Sequence, residues 1–159
     1  MKMGKEEQTF IILKPDAVQK GIIDFCLKRF QDAGLHVAEK WKLKLNKKFI
    51  DKLYCNIEDV VSIKLLANIK KWMLSDYVAA AVLTGESAVK KTREICGKTN
   101  PAEAGRGTLR GDFSQEEMCE NVKMDKETHN IIHASGSKEE AEKEIGFFRK
   151  LVLDRQKII

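Results

Sequence analysis

Two continuous apolar runs in the sequence predict two strands that are buried on both faces of a sheet. The first run spans residues 9–13 and the second spans residues 77–83. Lys14-Pro15 ends the first run, because proline has no N–H to donate to a neighbouring strand. Partial alternation over residues 35–45 predicts a half-buried strand, and residues 131–134 predict a short one.

Helical periodicity fills the intervals between the first three strands. Asp16 and Gln19 have the spacing of a capping box, so we expect one helix to run from there to Gly34. Residues 46–75 also have a helical pattern, and we expect it to break near residues 56–59. This second region therefore predicts two consecutive helices.

The later part of the chain combines clear helical signals with a stretch that has none. We expect one helix that opens at Gly85 and ends at Gly97, and a last helix that starts with a capping box at Ser137. Residues 98–130 show no periodicity and predict a long loop. Loops of this length are usually functional or disordered.

This order of elements predicts a fold of the α+β class. Two β-α-β halves around a four-stranded antiparallel sheet, with helices on one face, satisfy the order and form a ferredoxin-like sandwich. With 159 residues, 43% of them hydrophobic, the chain is expected to build the core of a single domain over residues 1–159. We expect residues 1–8 to form a flexible leader.

Charge and cysteine content narrow the possible partners and the location. The net charge of +5 favours anionic partners such as nucleotides, nucleic acid or acidic surfaces, although scattered surface lysines account for much of it. No window approaches the roughly 18 apolar residues of a membrane helix. No secretory signal is evident either, so we expect a cytoplasmic protein without membrane attachment. The four cysteines include no C-x-x-C pair, which disfavours a zinc site or a disulfide framework.

His133 is the main candidate for chemistry, because it ends a short apolar run where the chain turns polar. A histidine with a purely structural hydrogen bond is the ordinary alternative. A metal pair with His129 is disfavoured, because four residues of extended chain span about 13 Å. A nucleophilic histidine needs a partner that fixes its tautomer. Glu144 on the following helix and Ser135 on the same side of the strand could supply it.

The glycine-rich segment over residues 98–112 indicates phosphate binding, with a plain surface loop as the alternative. Its glycines let backbone N–H groups approach an anion, and its arginines and threonines supply further donors. It is not a P-loop, and it does not match the dinucleotide-binding pattern. Lys14 at a strand end and Arg93 at the edge of a helical stripe could point into the same site, although each alone is more often structural.

Five sequence motifs occur in the order and at nearly the spacing found in one enzyme family. They are Lys14-Pro15-Asp16, Thr99-Asn100-Pro101, Gly107-Thr108-Leu109-Arg110-Gly111-Asp112-Phe113, Asn130-Ile131-Ile132-His133-Ala134-Ser135 and Ala141-Glu142-Lys143-Glu144-Ile145. Each motif is weak alone, but together they leave little room for chance. Over nearly the whole chain, the sequence resembles the nucleoside diphosphate kinase family.

The resemblance implies a ferredoxin-like fold and a ping-pong phosphotransfer reaction. A nucleoside triphosphate, typically ATP, would give its γ-phosphoryl group to His133, and the phosphohistidine would pass it to a nucleoside diphosphate. Mg²⁺ would travel with the nucleotide phosphates, with no metal fixed in the protein. The resemblance also implies a homo-oligomer built from dimers, either a hexamer or a tetramer.

The resemblance implies roles for the residues around the histidine. Ser135 and Glu144 would orient His133, and Tyr54 would lie beside it. Lys14 would contact both the sugar hydroxyl and the transferring phosphate. Positioning and charge neutralisation are the main requirements of phosphoryl transfer, so these roles agree with the chemistry of the side chains.

The resemblance implies a second set of residues that bind the nucleotide. Asn130 would contact the ribose. The phosphates would be held by Arg93, Thr99 and Arg110. The family usually stacks the base on a phenylalanine, but this chain has Leu65 or Ser62 there, depending on the direction of alignment. We take Leu65 as the expected base platform.

Two further features depart from the family pattern. Residues 114–129 form a longer and very polar insertion beside the site, which could alter nucleotide access or subunit contacts. The chain also ends soon after Arg149, without the long C-terminal extension that many members use between subunits.

The main alternative is a module that binds nucleic acid or a protein partner, with little or no kinase activity. Sheets that bind single-stranded nucleic acid expose aromatic side chains. The two central apolar runs offer only Phe10 and the flanking Tyr77, so nucleic-acid contact would be secondary. The chemical residues of the family are all present, which favours the active enzyme.

Overall fold

A four-stranded antiparallel sheet forms the centre of the protein, in the strand order β2-β3-β1-β4. The strands are β1 (Glu7–Leu13), β2 (His36–Leu43), β3 (Val78–Gly85) and β4 (Ile132–Ala134). The computed structural model of the chain describes residues 6–156. All four predicted strands are present, and the ferredoxin-like α+β sandwich is confirmed.

Helices connect the strands and pack on the sheet. Among the described residues, the α-helices are α1 (Pro15–Gln19), α2 (Ile23–Asp32), α3 (Lys47–Leu53), α4 (Ile63–Leu74), α5 (Ala88–Cys96), α6 (Leu109–Phe113), α7 (Met118–Lys123) and α8 (Lys138–Gln156). Short 3-10 turns cover Cys55–Ile57 and Pro101–Glu103. The predicted break between two helices near residues 56–59 is confirmed. Within residues 6–156, no helix has both the length and the apolar character needed to cross a bilayer.

Both faces of the sheet carry helices, so the prediction of helices on one face is wrong. Ile11 of β1 belongs to a core cluster that includes Phe30 of α2, whereas its neighbour Phe10 belongs to a second cluster with Phe148 of α8. Successive side chains of a strand point to opposite faces. A strand that is apolar at every position must therefore be covered on both sides.

Gly21 divides the first predicted helix into α1 and α2. Its φ of 70° lies in the left-handed region, which glycine adopts without a steric penalty and a regular helix does not use. The predicted capping box is also wrong, because Lys14 occupies the N-cap position and Pro15 the first helical position. Asp16 is buried, and its carboxylate accepts a hydrogen bond from the backbone of Ile131.

Residues 98–130 contain structure that the sequence pattern did not predict, namely α6, α7 and a 3-10 turn. The Thr108 hydroxyl caps α6 by accepting the N–H of Gly111. Glu117 caps α7 by accepting two backbone N–H groups, and it also accepts the side-chain amide of Asn100 at 2.7 Å. Short helices that depend on polar caps leave no apolar periodicity, which explains the error.

Strand β1 and helix α5 begin at different residues from those predicted. Glu7 and Gln8 belong to β1, although the predicted leader included them, and residues 1–5 of that leader lie outside the described residues. Gly85 ends β3 and does not open α5. Gly97 ends α5 as predicted, with a φ of 84°.

Candidate active site

A tight turn at Asn130 directs the chain into β4. The Ile132 N–H donates to the Asn130 carbonyl at 2.8 Å, and Ile131 between them has a φ of 74°. This is the strained form of γ-turn, and a β-branched residue rarely adopts it. Two contacts hold the turn: Asp16 Oδ2 accepts the Ile131 N–H at 3.0 Å, and the Lys14 N–H donates to the Ile131 carbonyl at 2.8 Å. The start of α1 therefore fixes the backbone that carries the candidate site.

His133 of β4 is held by a carboxylate on the following helix. Its Nε2 lies 2.7 Å from Oε1 of Glu144, and the buried Ser135 hydroxyl donates to the same oxygen at 2.7 Å. An ionised carboxylate only accepts hydrogen bonds, so Nε2 carries the proton and Nδ1 keeps its lone pair. The His133 side chain is 21% exposed, so the ring is ordered by its partner yet open to a ligand. The structure thus brings His133, Ser135 and Glu144 together, as predicted.

Lys14 lies at the end of β1, buried beside the turn. Its Nζ donates to Asn130 Oδ1 at 2.6 Å, and the Asn130 amide in turn donates to the Thr99 carbonyl at 3.0 Å. Burial lowers the pKa of Lys14 to about 7, with a further contribution from the positive charge of Arg110 and a smaller opposing one from Asp16. The Lys14 side chain is therefore positioned before any ligand arrives.

Arg110 of α6 binds three backbone carbonyls, which belong to two segments of the chain near this lysine. Its guanidinium donates to the carbonyls of Gly97 at 2.8 Å and Ile132 at 2.6 Å, and its Nε donates to that of Asn130 at 3.3 Å. These contacts use three of the five N–H donors of a guanidinium, so two remain for a ligand. Burial lowers the pKa of Arg110, and the charge of Arg93 lowers it further.

The remaining predicted site residues lie around this cluster. Arg93 is exposed in the last turn of α5, and Thr99 is exposed shortly after that helix ends. Tyr54 ends α3, where burial and the nearby charge of Glu144 raise the pKa of its phenol. The phenol is therefore neutral at physiological pH and able to donate a hydrogen bond. Together the cluster presents cations, amides and hydroxyls, which suit phosphate oxygens.

Known proteins are similar to this chain over almost its full length. A family described as nucleoside diphosphate kinase matches residues 7–151. The chain belongs to this family. A nucleoside diphosphate kinase from Methanocaldococcus jannaschii is 37% identical over 145 residues, which cover 91% of this chain and 94% of the relative. One from Campylobacter lari is 40% identical over 142 residues, covering 89% and 94%.

Solved structures of nucleoside diphosphate kinases share the fold. The structure of the protein from Borrelia burgdorferi is a transition state mimic of that enzyme with bound vanadate and ADP. It has a TM-score of 0.84 and 29% sequence identity to this chain. That comparison covers 89% of this chain and 86% of the other. The protein from Pyrobaculum aerophilum has a TM-score of 0.80 and 29% identity, with 90% and 95% covered. The predicted family resemblance and the phosphotransferase class are thus confirmed.

The base platform is where this nucleoside diphosphate kinase family member differs most from expectation. Leu65 is only 3% exposed and offers almost no surface to a base. Ser62 caps α4 by accepting the Leu65 N–H, and its hydroxyl donates to Asp125 of the insertion at 2.5 Å. Ile63 between them is 89% exposed. The role of Leu65 stays a prediction, and its burial argues against it.

The sequence did not reveal that Trp72 of α4 stacks on His129. The ring centroids are 4.2 Å apart and the planes are inclined by 9°. His129 therefore stacks on Trp72, whereas His133 binds Glu144. The chain between the two histidines was expected to be fully extended, but it contains a turn at Ile131. Within residues 6–156, no three His, Cys, Asp or Glu side chains are placed to hold a metal ion.

Asp16 is the other residue at the site whose role the sequence did not reveal. Its capping-box spacing suggested a partner nearby in the sequence. Its carboxylate instead accepts the backbone N–H of Ile131, which lies 115 residues later. The available signal was its place in the Lys14-Pro15-Asp16 motif, directly after a buried strand.

Proposed function

We propose that this chain transfers the γ-phosphoryl group of a nucleoside triphosphate to a nucleoside diphosphate through a phosphohistidine on His133. The observation that carries this proposal is the 2.7 Å contact between His133 Nε2 and Glu144 Oε1. This contact supports a tautomer with the proton on Nε2, in which Nδ1 is the nucleophilic atom. The phosphoryl group is therefore assigned to Nδ1.

In the first half-reaction, a bond forms between His133 Nδ1 and the γ-phosphorus while the bond from phosphorus to the bridging β–γ oxygen breaks. The nucleoside diphosphate leaves with the electron pair. The imidazole gains positive charge as the N–P bond forms, and the Glu144 carboxylate stabilises it through the Nε2–H. Ser135 donates to the same carboxylate oxygen and keeps it aligned. The second half-reaction reverses these steps with another diphosphate.

The cations of the site neutralise the phosphate charge. Lys14 is assigned to the transferring phosphate and the sugar hydroxyl, and Asn130 to the ribose. The other phosphate ligands are assigned as Arg93, Thr99 and Arg110. Tyr54 is assigned a place beside the histidine, where its neutral phenol donates a hydrogen bond. Side chains that are held in place before binding, as Lys14 and Arg110 are, need little reorganisation during transfer.

We assign Mg²⁺ to the substrate, as a complex with the nucleotide phosphates. Mg²⁺ keeps several of its waters and is commonly held by one or two carboxylates together with phosphate oxygens. The donors gathered around Lys14 are cations and amides, which suit the phosphates better than the metal. The ion supplies charge neutralisation on the phosphates, while the protein residues hold and orient them.

We further propose that the protein is a homo-oligomer built from dimers, either a hexamer or a tetramer, in the cytoplasm where its nucleotide substrates occur. Strand β2 supports self-association, because within residues 6–156 it is an edge strand with unpaired backbone groups along one side. Light scattering coupled to size-exclusion chromatography measures the state directly. A monomer at micromolar concentration would contradict this part of the proposal.

A nucleic-acid-binding module is a weaker alternative than the sequence suggested. Such modules present one open face of the sheet to the bases. In this protein both faces are covered by helices that bury Phe10 on one side and Ile11 on the other.

Intact mass spectrometry tests the proposed function. The protein is mixed with ATP and Mg²⁺ without an acceptor, and we expect one acid-labile phosphoryl adduct that disappears when a nucleoside diphosphate is added. His133→Ala should abolish the adduct. His36→Ala is the matched control, because this histidine is exposed on β2. Absence of an adduct on the wild type, or its persistence in His133→Ala, would overturn the proposal.

A further inference from the structure

We infer that Trp72 and His129 act as a stacked pair that positions Lys14 and Asn130 for phosphoryl transfer. The inference rests on the proposed function, because it concerns the same nucleotide site. Neither residue is assigned to the reaction itself. Their proposed role is to hold Lys14 and Asn130, which are assigned to nucleotide binding and transfer.

The two rings are well placed for a strong stacking contact. Their centroids are 4.2 Å apart and their planes are inclined by 9°. Trp72 also packs against the core cluster that contains Phe148 and Ile12, so its ring is anchored to the sheet. Aromatic pairs of this kind contribute about 0.5–1.5 kcal/mol beyond the area that they bury. Trp72 is thus an anchored surface against which His129 can be held.

His129 is held in place by the insertion that precedes it. Its backbone N–H donates to Glu116 at 2.7 Å, and its carbonyl accepts the Ser114 hydroxyl at 2.7 Å. Its ring lies 3.3 Å from Glu127. The His129 side chain is nevertheless 38% exposed, so burial alone does not explain its position. The stack on Trp72 is what joins the end of the insertion to helix α4.

This stack reaches the proposed phosphate-binding residues in two ways. Asn130 directly follows His129, so the position of one backbone fixes that of the other. The Lys14 ammonium lies 5.7 Å from the centroid of the Trp72 ring and also donates to Asn130 at 2.6 Å. A cation within about 6 Å of an indole is attracted to the ring. One indole therefore supports both partners of the Lys14–Asn130 hydrogen bond.

The insertion makes a second contact with α4 that favours this arrangement. Asp125 accepts the Ser62 hydroxyl at 2.5 Å, and its carbonyl accepts the Asn68 amide at 2.7 Å. The insertion is therefore attached to α4 at its N-cap, within the helix and again at Trp72. The insertion over residues 114–129 therefore lies beside the site and also helps to hold its residues in place.

Four single substitutions test the inference. Trp72→Ala and His129→Ala remove the stack, whereas Trp72→Tyr and His129→Phe keep a planar ring. The rate of phosphohistidine formation is measured in single turnovers with ATP and Mg²⁺, and ADP affinity is measured by calorimetry. We expect each alanine variant to lose about tenfold in transfer rate, because small displacements of positioning groups are costly. ADP affinity should change by less than about threefold, because the phosphate ligands themselves remain.

Rescue and coupling separate positioning from a general loss of structure. The tyrosine and phenylalanine variants should recover the rate to within about threefold of wild type. The double alanine variant should be no slower than the slower single variant, because both changes remove the same contact. Circular dichroism checks folding. His36→Ala and Tyr77→Ala are the controls, because both side chains are exposed and neither belongs to the stack or to the proposed site.

Two results would overturn the inference. One is a transfer rate within about twofold of wild type in both alanine variants. The other is a failure of the ring-retaining variants to recover activity while they remain folded. If the wild-type protein forms no phosphohistidine, that result contradicts the proposed function and, with it, this inference. The two failures are therefore distinguishable in the same experiment.

Discussion

Asp16 binds the backbone N–H of Ile131, a residue 115 positions later in the chain, at 3.0 Å. This contact joins the start of α1 to the strained turn that leads into β4. Ile131 has a φ of 74°, a conformation that costs about 1–3 kcal/mol and persists only when its surroundings enforce it. The carboxylate of Asp16 is one of the groups that enforce it.

Removal of this carboxylate should affect stability and activity together. We expect Asp16→Ala to lower the free energy of unfolding by about 1–3 kcal/mol, because the buried Ile131 N–H loses its acceptor. The transfer rate should also fall, because the turn positions Asn130 and His133. Urea denaturation and the single-turnover assay measure the two effects. Asp16→Asn keeps an acceptor oxygen and should be milder in both, and equal effects of the two variants would contradict this account.

Glu144 should matter for transfer and not for nucleotide affinity. We expect Glu144→Ala to slow phosphohistidine formation by about 10–100-fold, because the imidazole loses the carboxylate that orients it and stabilises its positive charge. ADP affinity should stay nearly unchanged. Stopped quench-flow with ATP measures the rate, and calorimetry measures the affinity. Glu144→Gln keeps a neutral acceptor, so its transfer rate should lie between those of the wild type and Glu144→Ala. Equal loss of rate and affinity would mean that Glu144 has a structural role.

Nucleotide binding should be accompanied by proton uptake at Lys14. The folded pKa of Lys14 is about 7, below its ordinary value of 10.5, so the unliganded lysine is largely neutral at pH 8. Nucleotide phosphates favour the charged form and should raise this pKa, so binding at pH 8 takes up a proton. At pH 6 the lysine is already charged and uptake should be small.

Calorimetry of ADP binding in buffers of different ionisation enthalpy measures this uptake. Lys14→Arg is the control, because arginine stays charged and its uptake at pH 8 should be lower than that of wild type. The same pKa also affects stability: between pH 7 and 10.5 the unfolded chain binds more protons at Lys14 than the folded chain does. The unfavourable contribution of Lys14 to stability should therefore shrink as pH rises through this window. Identical proton uptake in the two proteins would contradict the assignment.

Leu65 should prove to be a core residue and not a base platform. We expect Leu65→Ala to lower the free energy of unfolding by about 2–4 kcal/mol, as is usual for a buried leucine. The KM of the folded protein for nucleotides should change little. Ile63→Ala is the matched control on the same helix turn, and it should cost no more than about 0.5 kcal/mol because the side chain is exposed. A raised KM in Leu65→Ala without loss of stability would restore the base-platform role.

The sequence predicted the elements whose local pattern matches their environment. The apolar runs of β1 and β3 could be assigned because residues 9–13 and 78–83 are buried at every position. His133 and Glu144 could be paired because they lie 11 residues apart on consecutive elements. The split of the first helix escaped prediction, because a lone glycine does not by itself interrupt a helical pattern, whereas the positive φ of Gly21 ends the helix.

Contacts between distant parts of the chain were beyond the sequence pattern. Trp72 and Asn68 lie on one helix and meet a polar insertion almost 60 residues later, with no periodicity to relate them. The pairing of Asp16 with Ile131 depends on β4 lying beside β1, which no single segment specifies. The motif containing Asp16 marked the residue, but only the packed sheet identifies its partner.

The pairing of β4 with β1 also sets when this site comes into existence during synthesis. Lys14 and Asn130 touch each other across a separation of 116 residues, and His133 lies on a strand that completes the sheet near the end of the chain. A nascent chain on the ribosome carries Lys14 and Arg93 early, but it has neither His133 nor the closed turn until β4 emerges and pairs. Chains that have not yet made β4 therefore lack the proposed site.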